Sequence, residues 1–223
     1  MIVDMHIHTT LGSDDSIINP DKLVEVAKAR GLDGVCITEH GNKRPEGIAE
    51  LAKRHNFLVF AGIEASTELG DILIFGLDSY PRQIHRAVEI RQFVVQAGGV
   101  MIAAHPFRSD FPKVWDNPWS RQRKVLTIEE ACCRPLFQLV EAMEVVNGWA
   151  TEEDLNFARQ VSTRLGIAGT GGSDAHTVPE IGRCITIFDN HIETEEELIA
   201  AIKSQRYWAE DHRPEGQKGP LPL

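Results

Sequence analysis

Residues 2–8 read IVDMHIH. Apolar residues surround two histidines spaced two apart, as in a buried strand that ends in something other than core. Successive side chains of a regular strand point to opposite faces, so Asp4, His6 and His8 are expected on one face. A lone histidine there is more often a satisfied core or cap residue than a ligand, but two at i and i+2 can grip one cation. This stretch leaves both readings open, and the other strands separate them.

Each further apolar run that reads as a strand also ends in, or carries, metal-competent side chains. Residues 35–40 (VCITEH) end in Glu39 and His40, and residues 60–66 (FAGIEAS) carry Glu64. Residues 100–105 (VMIAAH) end in His105, residues 143–147 (MEVVN) carry Glu144 and Asn147, and residues 169–176 (GTGGSDAH) end in Asp174 and His176. A satisfied core histidine does not recur at the same end of strand after strand. Barrel strands deliver reacting groups at their C-terminal rim. Of the nine histidines, His55, His85, His191 and His212 fall in expected helices, turns or the tail and read as surface residues.

Between the strands lie helical stretches. Residues 20–31 (PDKLVEVAKARG) follow Asn19 as cap, with proline in the first turn and Gly31 as stop. Residues 45–55, 81–97, 151–166 and 194–204 are further helices, with a short one near residues 127–133. A turn at 68–71 leads into a fourth strand, ILIFGL, antiparallel to the third, and another strand falls near CITIF at 184–188. Short strands alternating with helices mean an α/β fold, and seven or so strands make a distorted (β/α)7 TIM-like barrel the expected architecture, as one domain over residues 1–223. Residues 106–126 have no clean period and read as a lid or insertion loop, and about 209–223 as a loosely held tail.

The hydrophobic set is 42% and the charged set 25%, ordinary for a soluble globular chain. No run approaches a membrane span, the N-terminus lacks a signal-peptide pattern, and the four cysteines form no CxxC, so a reduced, cytoplasmic protein is expected. The formal net charge of −10 argues against holding nucleic acid as the main task. It leaves room for a small phosphorylated substrate, because bound cations invert the local field.

His6, His8, His40, Glu64, His105, Asp174 and His176 are seven donors, and Asp14 or Asp15 adds an eighth. Imidazole and carboxylate without thiolate suit Zn, Mn or Fe, and one four- to six-coordinate ion cannot use them all, so two or three divalent transition-metal ions are expected. Glu64 is the natural bridge, since a carboxylate offers two oxygens.

In order and spacing, MHIHTT…DDS, ITEHG, GIEAST, AHPFR and GSDAH resemble the PHP (polymerase and histidinol phosphatase) family, from residue 1 to about 205. The resemblance implies a distorted (β/α)7 barrel, a trinuclear metal site and phosphoester hydrolysis by a metal-activated hydroxide. It implies a first ion on His6, His8, Glu64 and Asp174, a second on Glu64 and His105, and a third on His40, His176 and a loop aspartate. Counting from Asn19 favours Asp15 for that aspartate, and counting from His8 favours Asp14. Many members carry a histidine shortly after the bridging glutamate. Here the corresponding stretch is GDILIFGL, where Asp71 is the only plausible donor, or else a turn residue.

Arg108, directly after AHPF, is a candidate to hold a phosphate, with Arg183 a second. His176 or a metal-bound water is the candidate general acid. Asp4 is expected to orient a ligand imidazole, Glu39 to support His40 or face solvent, and Glu144 either to serve as a structural or supporting group or to take a direct role in the site. The expected activity is hydrolysis of a small phosphomonoester. A nuclease, an amidohydrolase barrel, which also begins with HxH but fits the GIE and GSDAH motifs less well, and a non-catalytic metal-binding module are the rivals.

Overall fold

The computed structural model describes residues 1–108 and 126–214. Most of the expected lid (109–125) and the end of the tail (215–223) lie outside the described residues. The strands are β1 (Ile2–Ile7), β2 (Gly34–His40), β3 (Leu58–Thr67), β4 (Gly70–Phe75), β5 (Val100–Ala103), β6 (Ala142–Asn147), β7 (Gly169–Gly172), β8 (Cys184–Phe188) and β9 (Tyr207–Asp211). The helices are α1 (Pro20–Ala29), α2 (Ile48–His55), α3 (Ala87–Gln96), α4 (Ile128–Cys132), α5 (Glu152–Leu165) and α6 (Glu195–Ser204). All nine described strands form one sheet in the order β7-β6-β5-β4-β3-β2-β1-β8-β9.

The sheet curls until its β7 end returns to β1. The Asp174 amide donates to the His6 carbonyl at 2.8 Å, and the His8 amide to the Ala175 carbonyl at 3.0 Å. This closes most of a barrel, as expected. Gly172 permits the approach: a Cβ there would lie 2.4 Å from Cβ of His6. The barrel is mixed, because β4 runs antiparallel to β3 and β5, and β8 antiparallel to β1 and β9.

The floor of the barrel is apolar, built on Val3, Met5, Cys36, Phe60, Leu73 and Phe75. Outside it, α1 and α2 cover Val35, Ile37 and Val59, while α3 and α5 cover Ile63, Ile72, Ile74 and Val145. Asn19 caps α1 by accepting the amides of Asp21 and Lys22. Two expected helices begin later than their composition suggests. Gly47 takes a left-handed φ of 76° just before α2. The first free amide of α3, at Ala87, is taken by the Glu68 carboxylate at 2.8 Å, so residues 81–86 are not helical.

The ninth strand falls where a loose tail was expected. Residues 207–211 pair with β8, and Arg213 is buried, with its guanidinium on Asp211 and on the Ala150 carbonyl. Among the described residues no helix is long and apolar enough to cross a membrane.

Two bulges set the faces of the strands that matter most. In β1, Asp4 lies opposite Val35 of β2 but Ile7 lies opposite Ile37, so three steps of one strand match two of the other. The extra residue puts Asp4 on the face of Ile7 and Val35, away from His6 and His8. In β6, Glu144 pairs with Thr170 but Val146 with Gly171. That irregularity brings Glu144 and Asn147, three apart, within 3.0 Å of each other.

Candidate metal centre

His6 comes from the end of β1 and His8 from just past it, His40 from the end of β2, Glu64 from within β3 level with His40, His105 from after β5, and Asp174 and His176 from after β7. Nε2 of His6 and Nε2 of His8 stand 3.0 Å apart. Nε2 of His8 is also 3.2 Å from Oε2 of Glu64 and 3.3 Å from Oδ1 of Asp174; the matching distances for His6 are 3.4 and 3.5 Å. His105 places Nε2 3.0 Å from the other Glu64 oxygen. His40 puts Nδ1 2.9 Å from Oε2 of Glu64 and Nε2 3.3 Å from Asp15, which is also 3.4 Å from Nε2 of His176. The rings of His40 and His176 stack on His8, with centroids 4.2 and 4.4 Å away.

The tautomers follow from what holds the far nitrogens. Nδ1 of His6 faces Oε1 of the buried Glu144 at 3.0 Å, and a carboxylate can only accept, so Nδ1 carries the proton. Oε2 of the same carboxylate accepts the His105 amide at 2.8 Å and the Asn147 side chain. Nδ1 of His8 faces Ser13 Oγ at 3.1 Å, and that hydroxyl already gives its proton to Glu39. Nδ1 of His176 donates to the Asp174 carbonyl at 2.9 Å. His6, His8 and His176 therefore all turn the lone pair of Nε2 into the cluster.

Two bare lone pairs 3.0 Å apart repel unless a cation or a proton lies between them. Oε2 of Glu64 makes the same demand, since it is buried, hydrogen-bonds to nothing and yet lies within 3.4 Å of three imidazole nitrogens. Burial alone would raise the Glu64 and Asp174 carboxyls. His6, His105 and His40 instead hold Glu64 well below the usual range, and His6, His8, His105 and Arg108 do the same for Asp174. His6 is raised, because Asp174, Glu144 and Glu64 outweigh its burial. The donor set, the free lone pairs and the orphaned oxygen all fit divalent cations.

The family model for the PHP domain matches residues 4–146, and a PHP-associated model matches residues 152–207. The chain belongs to the PHP family. By sequence this PHP domain is 31% identical over 119 residues to an uncharacterized protein of Methanocaldococcus jannaschii, a match spanning 48% of this chain and 68% of that one. It is 35% identical over 65 residues to the DNA polymerase III PolC-type of Oceanobacillus iheyensis, covering 29% of this chain but 5% of the polymerase. In fold it is similar to PsfC from Pseudomonas syringae, with a TM-score of 0.63, 19% identity and coverage of 97% and 93% of the two chains. It is similar as well to a two-domain protein of Bacteroides vulgatus containing a predicted PHP-like metal-dependent phosphoesterase, with a TM-score of 0.70, 21% identity and coverage of 95% and 65%.

The remaining sequence candidates fall in different places. Of the two loop aspartates, Asp15 meets His40 and His176, while Asp14 is exposed and outside the cluster. Asp71 lines the cleft above the centre with Asp15, Ser66, Arg108, Trp149 and Thr177, but has no imidazole within ion-pair distance. Arg108 lines the same cleft and pairs with Asp174. Arg183 does not reach it, because its Nε is spent on the Pro179 carbonyl.

Asp4 touches no imidazole ring. The bulge in β1 turns it toward backbone, and it accepts the amides of His6, Ser173 and Gly182. Glu39 neither supports the His40 ring nor faces solvent; it is buried under Thr9 and Ser13. Sequence reasoning missed Ser13 and Trp149. Trp149 sits two residues past Asn147 on the rim, and donates from Nε1 to the Asp174 carbonyl at 2.8 Å. Its rim position was the available signal. A serine in a polar loop carries none.

Proposed function

We propose that this PHP domain is a metal-dependent phosphoesterase that hydrolyses a small phosphorylated metabolite with two or three divalent ions, Mn, Zn or Fe. The observation that carries it is the inward-facing pair of Nε2 lone pairs on His6 and His8 beside the orphaned oxygen of Glu64. His6, His8, Glu64 and Asp174 would hold one ion, Glu64 and His105 a second, and His40, His176 and Asp15 a third. When bound, the ions supply an activated water near neutral pH and neutralise charge on the phosphoryl oxygens.

The protein's own groups do the rest. Glu144, Ser13 and the Asp174 carbonyl fix the ring orientations. Arg108 keeps one guanidinium nitrogen on Asp174 and offers its other donors to phosphoryl oxygens. His176 is better suited to ligation than to acting as the acid, because its Nδ1 proton is held by a carbonyl and Nε2 faces Asp15. The cleft of about 480 Å³ matches a small ligand.

The similarity to PolC-type polymerases favours one rival, a nuclease built on the same ions. Mn-loaded protein would be offered p-nitrophenyl phosphate, histidinol phosphate, nucleotide mono- and bisphosphates, and an oligonucleotide. Phosphate release from small esters is expected. Shortening of the oligonucleotide with no release from any small ester would transfer the assignment to the nuclease.

A further inference from the structure

The loop after β1 is held by a carboxylate whose hydrogen bonds go to Thr9 and Ser13 rather than to a candidate ligand. Glu39 sits beside His40 on β2, and its carboxylate collects three donors from that loop. The Thr9 hydroxyl and the Thr9 amide bind it, the amide at 3.2 Å from each oxygen, and Ser13 Oγ donates at 2.5 Å. Glycine at position 12 lets the loop fold this tightly, since a Cβ there would lie 2.9 Å from Cβ of Glu39.

Ser13 has one proton, and Glu39 takes it. Its lone pairs are left to accept the His40 amide at 3.3 Å and Nδ1 of His8 at 3.1 Å. Two residues further along, the same loop presents Asp15 to His40 and His176.

We propose that Glu39 is a positioning residue for the metal centre, acting through Ser13 to hold His8 as its Nδ1–H tautomer and to set the loop that carries Asp15. The inference rests on the metal-binding reading of the site and is independent of which ester is cleaved. A glutamine at 39 can turn its amide N–H toward Ser13. The hydroxyl then has no acceptor there and sends its proton to Nδ1 of His8, which leaves the proton of the neutral imidazole on Nε2, where it blocks ligation. Glu39→Gln is therefore expected to act more strongly than Ser13→Ala, which only leaves the His8 tautomer unenforced. Ser13→Thr keeps the hydroxyl and restores binding.

The test reads metal affinity by calorimetric titration with Mn²⁺ and Zn²⁺, and the His8 tautomer by ¹⁵N shifts of the metal-free protein. Glu39→Gln is expected to weaken binding about 10- to 100-fold, the usual effect of losing a group that orients a ligand, and to move His8 to the Nε2–H form. Ser13→Ala should weaken binding less, with circular dichroism unchanged. Wild-type affinity and an Nδ1–H His8 in Glu39→Gln, or in Ser13→Ala should the first variant fail to fold, would overturn the assignment. Failure of every phosphate ester to react would not, since neither readout involves turnover.

Discussion

His105 and Asp174 both hold left-handed backbone conformations, at φ 30° and 52°, and their side chains meet across the centre with Nε2 3.8 Å from Oδ2. Such conformations cost a non-glycine residue of order 1–3 kcal/mol and persist where the surroundings over-determine them. Asparagine tolerates that region better than histidine does. His105→Asn should therefore keep the stability of the metal-free protein within about 1 kcal/mol of wild type, while metal content falls. Denaturant unfolding in chelator and elemental analysis measure the two effects. A large loss of stability would make His105 a packing residue.

Without metal, the centre gathers imidazoles and carboxylates, and its pH dependence has a definite sign. His6 is raised by Asp174, Glu144 and Glu64 against its burial, and His40 by its contact with Glu64. Their contribution is complete below the unfolded imidazole value of 6.5 and is lost as pH rises through the folded values. Glu64 and Asp174 are lowered, so theirs is present above the unfolded 4.5 and 3.8 and is lost as pH falls through the folded values. Asp4, pushed up by burial to about 6, loses stability as pH rises between 3.8 and that value. The metal-free protein should thus be most stable in a window from about pH 4.5 to 6.5, nearer its acid end. Stabilisation by added Mn²⁺ should grow as pH rises, because ligand imidazoles must be neutral. Thermal melts across pH, with and without chelator, test both. Glu64→Gln should lower metal content and flatten the metal-free profile.

Leu73 lies directly opposite Glu64 across the β3–β4 pair, and Asp71 opposite Ser66. Opposed residues share a face with Cβ atoms about 4.5–5.5 Å apart. Leu73→His should accordingly bring an imidazole within reach of Glu64 and raise metal affinity, while costing metal-free stability because Leu73 is fully buried in the apolar floor. Asp71→Ala should reduce metal occupancy less than Asp15→Ala does. Equal metal content in wild type and Leu73→His would show that position 73 does not reach the centre.

Arg213 ties the last described residues to the loop bearing Trp149. Its guanidinium bonds both oxygens of Asp211 and the Ala150 carbonyl, and stands 3.5 Å from Glu152. Removing one partner of a buried pair costs about 3–5 kcal/mol. Arg213→Ala should approach that loss in chemical denaturation and, by loosening Trp149 from the Asp174 carbonyl, weaken metal binding as well. An unchanged denaturation midpoint would mean that β9 and its strap are dispensable.

Which side chains gather at the centre was legible in the sequence, because the residue types at and near strand ends are a local pattern. The apolar runs, their order and the residue types that follow them depend on neighbours in the chain, and they announced both the barrel and His6, His8, His40, Glu64, His105, Asp174 and His176. Faces and tautomers are not local. The bulge that turns Asp4 away from His6 exists only because β1 pairs with β2, thirty residues on. Nδ1 of His6 is held by a residue 138 positions away, and β9 became a strand only because β8 offered it an edge. The choice of Asp15 over Asp14, the distance of Arg183 from the cleft and the burial of Glu39 under its loop were likewise decided by tertiary packing. Hydrogen-bond partners far apart in sequence set them, and residue types along one chain do not encode which partners will meet.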